Sequence, residues 1–475
     1  MKKLVALTMA TAMTLSLAAC GGASSSSAAA STATTDTASS AAESTASEAE
    51  DTITVMVPPV TGDYLDKMTE WADEFHEQYP NLTMEVIGTS WDDHTTKLST
   101  MAQAGEAPDI SEISYAGLAT YVENGTALNL SEYMDKDQLA DFDQNALDYM
   151  TVENNVYGLP LYITIQALGA NKDMLEAAGV DVAKVQESGW TYDEFMEAIK
   201  NGTKDDTFGF VFANSGATAS DFLNIFGVSA GLNNAFNSDL KYEYTSTKML
   251  NLLTAVEEMT KSSYMPNYGV EASQRMVMCE TGNAMIFGKA MPLFENNINK
   301  NNAAIEANDG TAVENSIPVT YAFLPVPTMD GVEESCYGTV DGLVAFRNSN
   351  STDEHIQNVM KALYFLSSSE CAAYVDVSTC LDGVCASARE ALASMDTGDR
   401  DQGNIDCAAR LIKTVVAPPT GITAEQTASA KQLMDEVIVP KFQALIAGET
   451  TAQAMYDEIV KQATAVFGED GCDLT

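Results

Sequence analysis

Residues 53–110, reading ITVMVPPVTGDYLDKMTEWADEFHEQYPNLTMEVIGTSWDDHTTKLSTMAQAGEAPDI, decide the fold. Residues 53–57 are a short β-branched run suited to a buried strand. Pro58, Pro59 and Gly62 break it. Leu65, Met68, Trp71, Ala72, Phe75 and Tyr79 then recur at helical spacing, and Pro80 stops the helix. Residues 82–87 read as a second strand. Trp91-Asp92-Asp93 opens a second helix, with Asp92 as the expected cap, Leu98, Met101 and Ala102 turned inward and Gly105 at the end. Pro108-Asp109-Ile110 leads into a third strand, and residues 118–123 form a helix ended by Gly125. Strand, helix, strand, helix at this spacing predicts a parallel sheet with crossover helices.

The alternation returns further on. Residues 208–213, 284–287, 319–325 and 342–346 read as strands, and residues 248–260 and 353–367 as helices. From Glu370 the pattern is mostly helical. The expected architecture is α/β, with two lobes, each a mostly parallel sheet flanked by helices. Length supports more than one lobe, since over 420 residues follow Asp51.

Upstream, Lys2 and Lys3 precede an apolar run over residues 4–19, which stops at Leu17-Ala18-Ala19-Cys20-Gly21. A cationic start, a short apolar stretch and small residues before a cut make a secretory signal. The run falls short of the ~20 residues a membrane span takes. It resembles a bacterial lipoprotein signal over 1–19, which implies that Cys20 becomes the acylated first residue and tethers the chain by lipid. Residues 20–51 are, after Cys20-Gly21-Gly22, almost entirely Ser, Ala and Thr with a few acids, without an aromatic or large aliphatic side chain. Nothing there offsets the entropy of ordering, so a disordered stalk is expected.

The chain carries a formal charge of −44, or −46 once Lys2 and Lys3 are removed. Such a surface repels nucleic acid and anionic lipid. Seven cysteines follow Cys20: Cys279, Cys336, Cys371, Cys380, Cys385, Cys407 and Cys472. Unpaired thiols are expected, with a loop disulfide between Cys380 and Cys385 as the alternative. No Cys-x-x-Cys occurs, His76, His94 and His355 are widely spaced, and no Gly-x-x-x-x-Gly-Lys-Ser/Thr is present. Neither a metal nor a nucleotide cofactor is expected. Gly227-Val228-Ser229-Ala230-Gly231 matches the nucleophile-elbow pattern, but the residues before it read as helix and the one later histidine is His355. Asp399, Asp401 and Asp406 miss calcium-loop spacing and read as a solvated loop. No catalytic residue is assigned.

Four segments carry a family resemblance. Ala104-Gly105-Glu106-Ala107-Pro108-Asp109-Ile110 precedes Tyr121-Val122-Glu123-Asn124-Gly125. Tyr157-Gly158-Leu159-Pro160 precedes Ala170-Asn171-Lys172-Asp173. Gly189-Trp190-Thr191-Tyr192-Asp193-Glu194-Phe195 follows, and then Gly282-Asn283-Ala284-Met285 with Leu324-Pro325-Val326-Pro327. In this order they resemble the extracellular solute-binding proteins of ABC importers, in the family whose members mostly bind sugars. The resemblance implies two lobes that close on a ligand, a membrane permease pair, a cytoplasmic ATPase and no chemistry on the ligand. It implies lobe one at 52–165 and 322–368 and lobe two at 166–321 and 369–475. A monomer is expected.

Ligand contacts belong just after strands, where open α/β sheets bind. The candidates are Tyr64, Trp91, Asp92, Ser114 and Tyr115 in the first lobe, Tyr162 and Thr164 at the crossing, Asn214, Phe287 and Glu295 in the second lobe, and Asp341 after the return. Aromatic rings stack on the C–H faces of a sugar, while carboxylates and amides pair with its hydroxyls. Many sugar-binding relatives carry a tryptophan where this chain reads Met56-Val57-Pro58-Pro59 and Gly288-Lys289-Ala290-Met291-Pro292.

Overall fold

In the computed structural model the described residues are 49–475, apart from 216–217, 382, 396–397, 399 and 420 and the side chains of Trp91, Asp92 and Ala424. The signal, Cys20 and nearly all of the stalk lie outside them. The β-branched run forms β1 (Asp51–Val57), with Ile53, Val55, Met56 and Val57 buried. α1 (Tyr64–Gln78) buries Tyr64, Met68, Trp71 and Phe75 along one stripe. β2 (Leu82–Gly88) lies parallel to β1, with Ile53 opposite Met84. α2 (Trp91–Ala104) is capped by Ser90, which accepts the Asp93 N–H at 3.1 Å. The expectation of Asp92 as the cap is thereby corrected: Ser90 has the extended backbone a cap needs, and Asp92 is already inside the first turn. Gly105 ends the helix in the left-handed region at φ 75°. β3 (Ile110–Ser114) also pairs parallel to β1, and α3 (Tyr115–Glu123) starts directly after it, earlier than the apolar pattern indicates.

The remaining strands are β4 (Gly158–Asn171), β5 (Phe208–Val211), β6 (Ala284–Ala290), β7 (Tyr321–Leu324) and β8 (Tyr337–Ala345). Their order is β2-β1-β3-β8-β4-β6-β5, with β7 beside β4. The parallel pairs are β1–β2, β1–β3 and β5–β6. β8 runs antiparallel to both β3 and β4, and β4 runs antiparallel to β6 and β7. β4 is the strand that joins the two halves. Up to Gln166 it pairs with β8, and from Ala167 it pairs with β6. Close packing at this passage requires Gly169, because a Cβ there would sit 2.6 Å from Phe287 Cζ.

Beyond β5, α4 (Thr218–Gly227) packs its phenylalanines on the sheet, with Phe222 stacked on Phe212 at 4.3 Å. Ser229 follows α4 in a short 3₁₀ turn and is fully buried, so the elbow pattern lacks its strand and an accessible hydroxyl. α5 (Asp353–Ser367) packs on β1 and β8. α6 (Ser369–Thr379) packs on α5, and its Tyr374 meets Trp71 of α1 edge-on at 5.5 Å. The Ala386 N–H then bonds the Asp141 carbonyl at 2.9 Å. This C-terminal stretch therefore packs beside α1 and β1, while β7 pairs with the last residues of β4. α7 (Gln402–Leu411) returns to the β7 side, where Asn404 Oδ1 accepts the Phe323 N–H at 2.7 Å. Asp401 caps α7 by accepting the Gly403 N–H at 2.8 Å. The solvated-loop reading of that acidic segment is corrected accordingly for Asp401 and Asp406; Asp399 lies outside the described residues.

All seven described cysteines are free and buried, Cys380 and Cys385 included. Among the described residues no helix is long and apolar enough to cross a membrane, and no group of three His, Cys, Asp or Glu is placed to hold a metal.

Candidate functional site

Antiparallel register decides which side chains share a face. Tyr337 stands opposite Gln166, Thr339 opposite Thr164, and Asp341 opposite Tyr162. On its other side Asp341 stands opposite Ser114. The residues between them, Gly338, Val340, Ile163 and Ile165, are buried, whereas Tyr337, Thr339, Asp341, Thr164 and Gln166 are half-buried. A row of polar side chains thus runs across β4 and β8 at the place where β4 passes between the sheet halves.

A cavity of about 110 Å³ opens on this row. Val60, Tyr162 and Thr164 line it from one side, and Met291, Pro292 and Leu293, which follow β6, from the other. Thr379 and Leu381 complete the wall. The Met-Pro stretch that replaces an expected tryptophan therefore sits at the cavity. Methionine is polarisable and adaptable enough to cover an apolar ligand face.

Tyrosines gather around the row. Tyr115 packs edge-on to Tyr149 at 4.9 Å, and Tyr149 Oη donates to the Val416 carbonyl at 3.2 Å. Tyr244 Oη donates to Asn224 Oδ1 on α4 at 2.9 Å. Lys289 Nζ is held by Asp221 at 2.6 Å. Burial pushes the hydroxyls of Tyr149, Tyr244 and Tyr337 well above the usual phenol range.

The acids of the site are Glu112 and Asp341. Burial, then the Asp341 charge, hold the Glu112 carboxyl well above the usual carboxylate range, against the hydrogen bond shared with Tyr162 at 3.1 Å. Burial also raises Asp341, opposed by hydrogen bonds to Ser114 and Tyr162.

Of the residues singled out in the sequence, Ser114, Tyr115, Tyr162, Thr164 and Asp341 come together here. Tyr64 lies behind them, fully buried, in contact with Trp71 at 6.0 Å. Trp91 and Asp92 fall in the first turn of α2, and their side chains lie outside the described residues. The other three are not at the row. Asn214 is buried and accepts the Val270 N–H at 2.9 Å, which braces the loop before it. Phe287 is fully buried between Phe294 and Tyr321, because β6 turns that side chain into the core. Glu295 is buried and accepts the Asp401 N–H at 2.6 Å, so it anchors the start of α7.

Glu112, Gln166, Thr339 and Tyr337 belong to the site and were not singled out. Two signals were available. Glu112 is a charged residue inside an otherwise buried strand, and Tyr337-Gly338-Thr339-Val340-Asp341 alternates polar with small or apolar residues at period two.

A polar row with tyrosines and a buried acid pair offers hydrogen-bonding groups and ring faces to a polar guest. The family description "bacterial extracellular solute-binding protein" matches residues 59–371, well over half of the chain. The chain belongs to that family, a family of binding proteins rather than enzymes. Among curated relatives, a candidate binding protein of Brucella abortus is 30% identical over 138 residues, covering 29% of this chain and 33% of that one. The lactose-binding protein of Rhizobium radiobacter is 29% identical over 136 residues, covering 28% and 32%. The match thus spans about a third of the length of these relatives. A solved cyclic alpha-maltosyl-1,6-maltose binding protein from Arthrobacter globiformis superposes with a TM-score of 0.68 at 16% identity, covering 88% of this chain and 99% of that one. The Listeria monocytogenes ABC substrate-binding protein in complex with cycloalternan gives 0.63 at 17% identity, covering 88% and 99%. At such identities the likeness is one of fold: two lobes, each α/β.

Proposed function

We propose that this protein is the substrate-binding subunit of an ABC importer, captures a saccharide between two lobes on the outer side of the membrane, and passes it to a permease pair driven by a cytoplasmic ATPase. The observation that carries this reading is the polar row across β4 and β8 at the passage between halves, faced by Met291 from beyond β6. Ser114, Tyr115, Tyr162, Thr164 and Asp341 are the proposed contacts, with Gln166, Thr339 and Tyr337 added; Trp91 and Asp92 stay as candidates from their place at a helix start. The relatives named for lactose and for cyclic maltosyl sugars support a saccharide as the guest. One lobe is built on β1–β3 with β8, α5 and α6, and the other on β5–β7 with α4 and α7. Crossings fall within β4, between β7 and β8, and between α6 and α7. Binding contacts both lobes at once and shifts an open–closed equilibrium. The protein acts as a monomer, held to the membrane by a lipid on Cys20 at the end of the stalk.

A thermal-shift screen with lactose, maltotriose and arabinotriose tests the reading, because a guest that binds only the folded form raises the melting temperature. At least one sugar raises it and is recovered chemically unchanged. Recovery of cleaved sugar contradicts a binding-only protein.

A further inference from the structure

Two carboxylates face one hydroxyl at the floor of the site. Glu112 Oε1 lies 3.1 Å from Tyr162 Oη, and Asp341 stands opposite Tyr162 on one side and Ser114 on the other in the strand register, its carboxyl pKa lowered by both hydroxyls against the effect of burial. Glu112 is 1% exposed, and its second oxygen is buried with no hydrogen-bond partner. No described base pairs with either acid. Lys289 is taken by Asp221, and Arg275 by the carbonyls of Gly288 and Lys289. The other titratable groups around the pair are uncharged at neutral pH: Tyr64 on α1, Cys371 on α6 behind it, and Tyr115 on α3. His94 on α2 bonds the Glu112 carbonyl at 2.6 Å, and burial holds its ring below the usual range.

Two adjacent negative charges, one buried and one half-buried, are costly without a cation, and one proton held between them removes most of the cost. A tyrosine hydroxyl has one hydrogen to give and an oxygen that accepts. A chain from a protonated Glu112 to the Tyr162 oxygen, and from the Tyr162 hydrogen to Asp341, satisfies every hydrogen in it. The bare Glu112 oxygen is then a neutral carbonyl, far less costly to bury than a charged one.

We propose that Glu112, Tyr162 and Asp341 share one proton between two carboxylates, which leaves a single negative charge at the half-buried Asp341 and restricts the site to neutral saccharides that donate hydroxyl hydrogens there. Uronic and phosphorylated sugars are refused by that charge. The choice of ligand rests on the saccharide reading above; the shared proton does not.

Infrared spectroscopy of the carboxyl C=O stretch on the folded protein at pH 7 tests the shared proton without any ligand. A protonated-acid band is present, and Glu112→Gln removes it. A spectrum in which Glu112→Gln removes no such band overturns the proposal. Tyr162→Phe is the second variant: loss of its hydrogen bond moves the band in frequency, and a band left in place overturns the chain from Glu112 to Asp341. Thermal shift with maltotriose against trigalacturonate and glucose 6-phosphate tests the charge selection. Stabilisation by the neutral sugar alone supports it, and equal stabilisation by either acid overturns it. Should no sugar act at all, the saccharide reading fails while the infrared band still decides the shared proton.

Discussion

Tyr115 is the residue on which ligand recognition by this fold is most exposed to test. It stands at the end of β3, half-buried, edge-on to Tyr149 and beside the Asp341 charge. Replacing a ring by a methyl group removes apolar area worth roughly 1–3 kcal/mol when a sugar face covers it. Calorimetric titration of Tyr115→Ala with a sugar found by screening should show weakening of that size, and unchanged affinity in a folded variant removes Tyr115 from the site. A second residue bears on stability. His355 donates from both ring nitrogens, to Asp51 and to Asp109, each at 2.9 Å. Burial works to lower its pKa, yet the hydrogen bonds and charges of Asp109 and Asp51 outweigh burial and hold it above the usual 6.5. The folded state therefore grips that proton more tightly than the unfolded chain. Its contribution is full below pH 6.5 and is lost as pH rises through the raised folded value. Urea unfolding should show stability falling across that window, and His355→Gln should flatten the fall; an equal slope in the variant contradicts the assignment. At this scale the sequence was legible where position alone decides. Ser114 and Tyr115 lie where a strand end places them, and Asp341 reaches the same row from inside β8, whereas Phe287 and Glu295 turn into the core, because position along a strand does not say which face a side chain takes. Glu112 escaped notice although it is a charge inside an apolar strand, because one acid among 68 stands out only when its strand is known to be buried.

Among elements, β4 matters most. It gives one edge to β8 and then another to β6, and the passage is crowded: beyond Phe287, a Cβ on Gly169 would lie 2.8 Å from the Tyr321 ring. Gly169→Val forces two aromatic rings apart, and overpacking of this kind costs roughly 1–3 kcal/mol. Denaturant melting measures the loss, and a variant as stable as the parent contradicts the close approach. Elements with clear periodicity were legible to within a residue or two. Helix α5 matches its predicted span, and α1 buries the face its spacing indicated. What the pattern hid was pairing direction. Gly158–Asn171 was not among the predicted strands, and nothing local in it states that its two ends serve different partners. The acidic segment around Asp401 was misread because a helix cap and a solvated acid look alike until the N–H groups it serves are seen.

For the molecule as a whole, the proposed function joins three parts: a lipid anchor, a spacer and a two-lobed binder. Attachment through Cys20 predicts that Cys20→Ala moves the protein from the membrane fraction to the soluble one, and retention of the variant on membranes contradicts lipid attachment at that residue. The family and the α/β architecture were legible from ordered motifs, because each motif marks a strand-to-helix junction that the fold repeats. The central claim is mechanical: a saccharide held by Tyr115 and Asp341 on one side and by the Met291 wall on the other draws the lobes together. Small-angle scattering with and without a saturating, calorimetrically verified sugar tests this most directly. A radius of gyration that falls on binding, and falls less in a Tyr115→Ala, Asp341→Asn double variant at the same sugar concentration, is the predicted result. A bound sugar that leaves the scattering profile unchanged would contradict it.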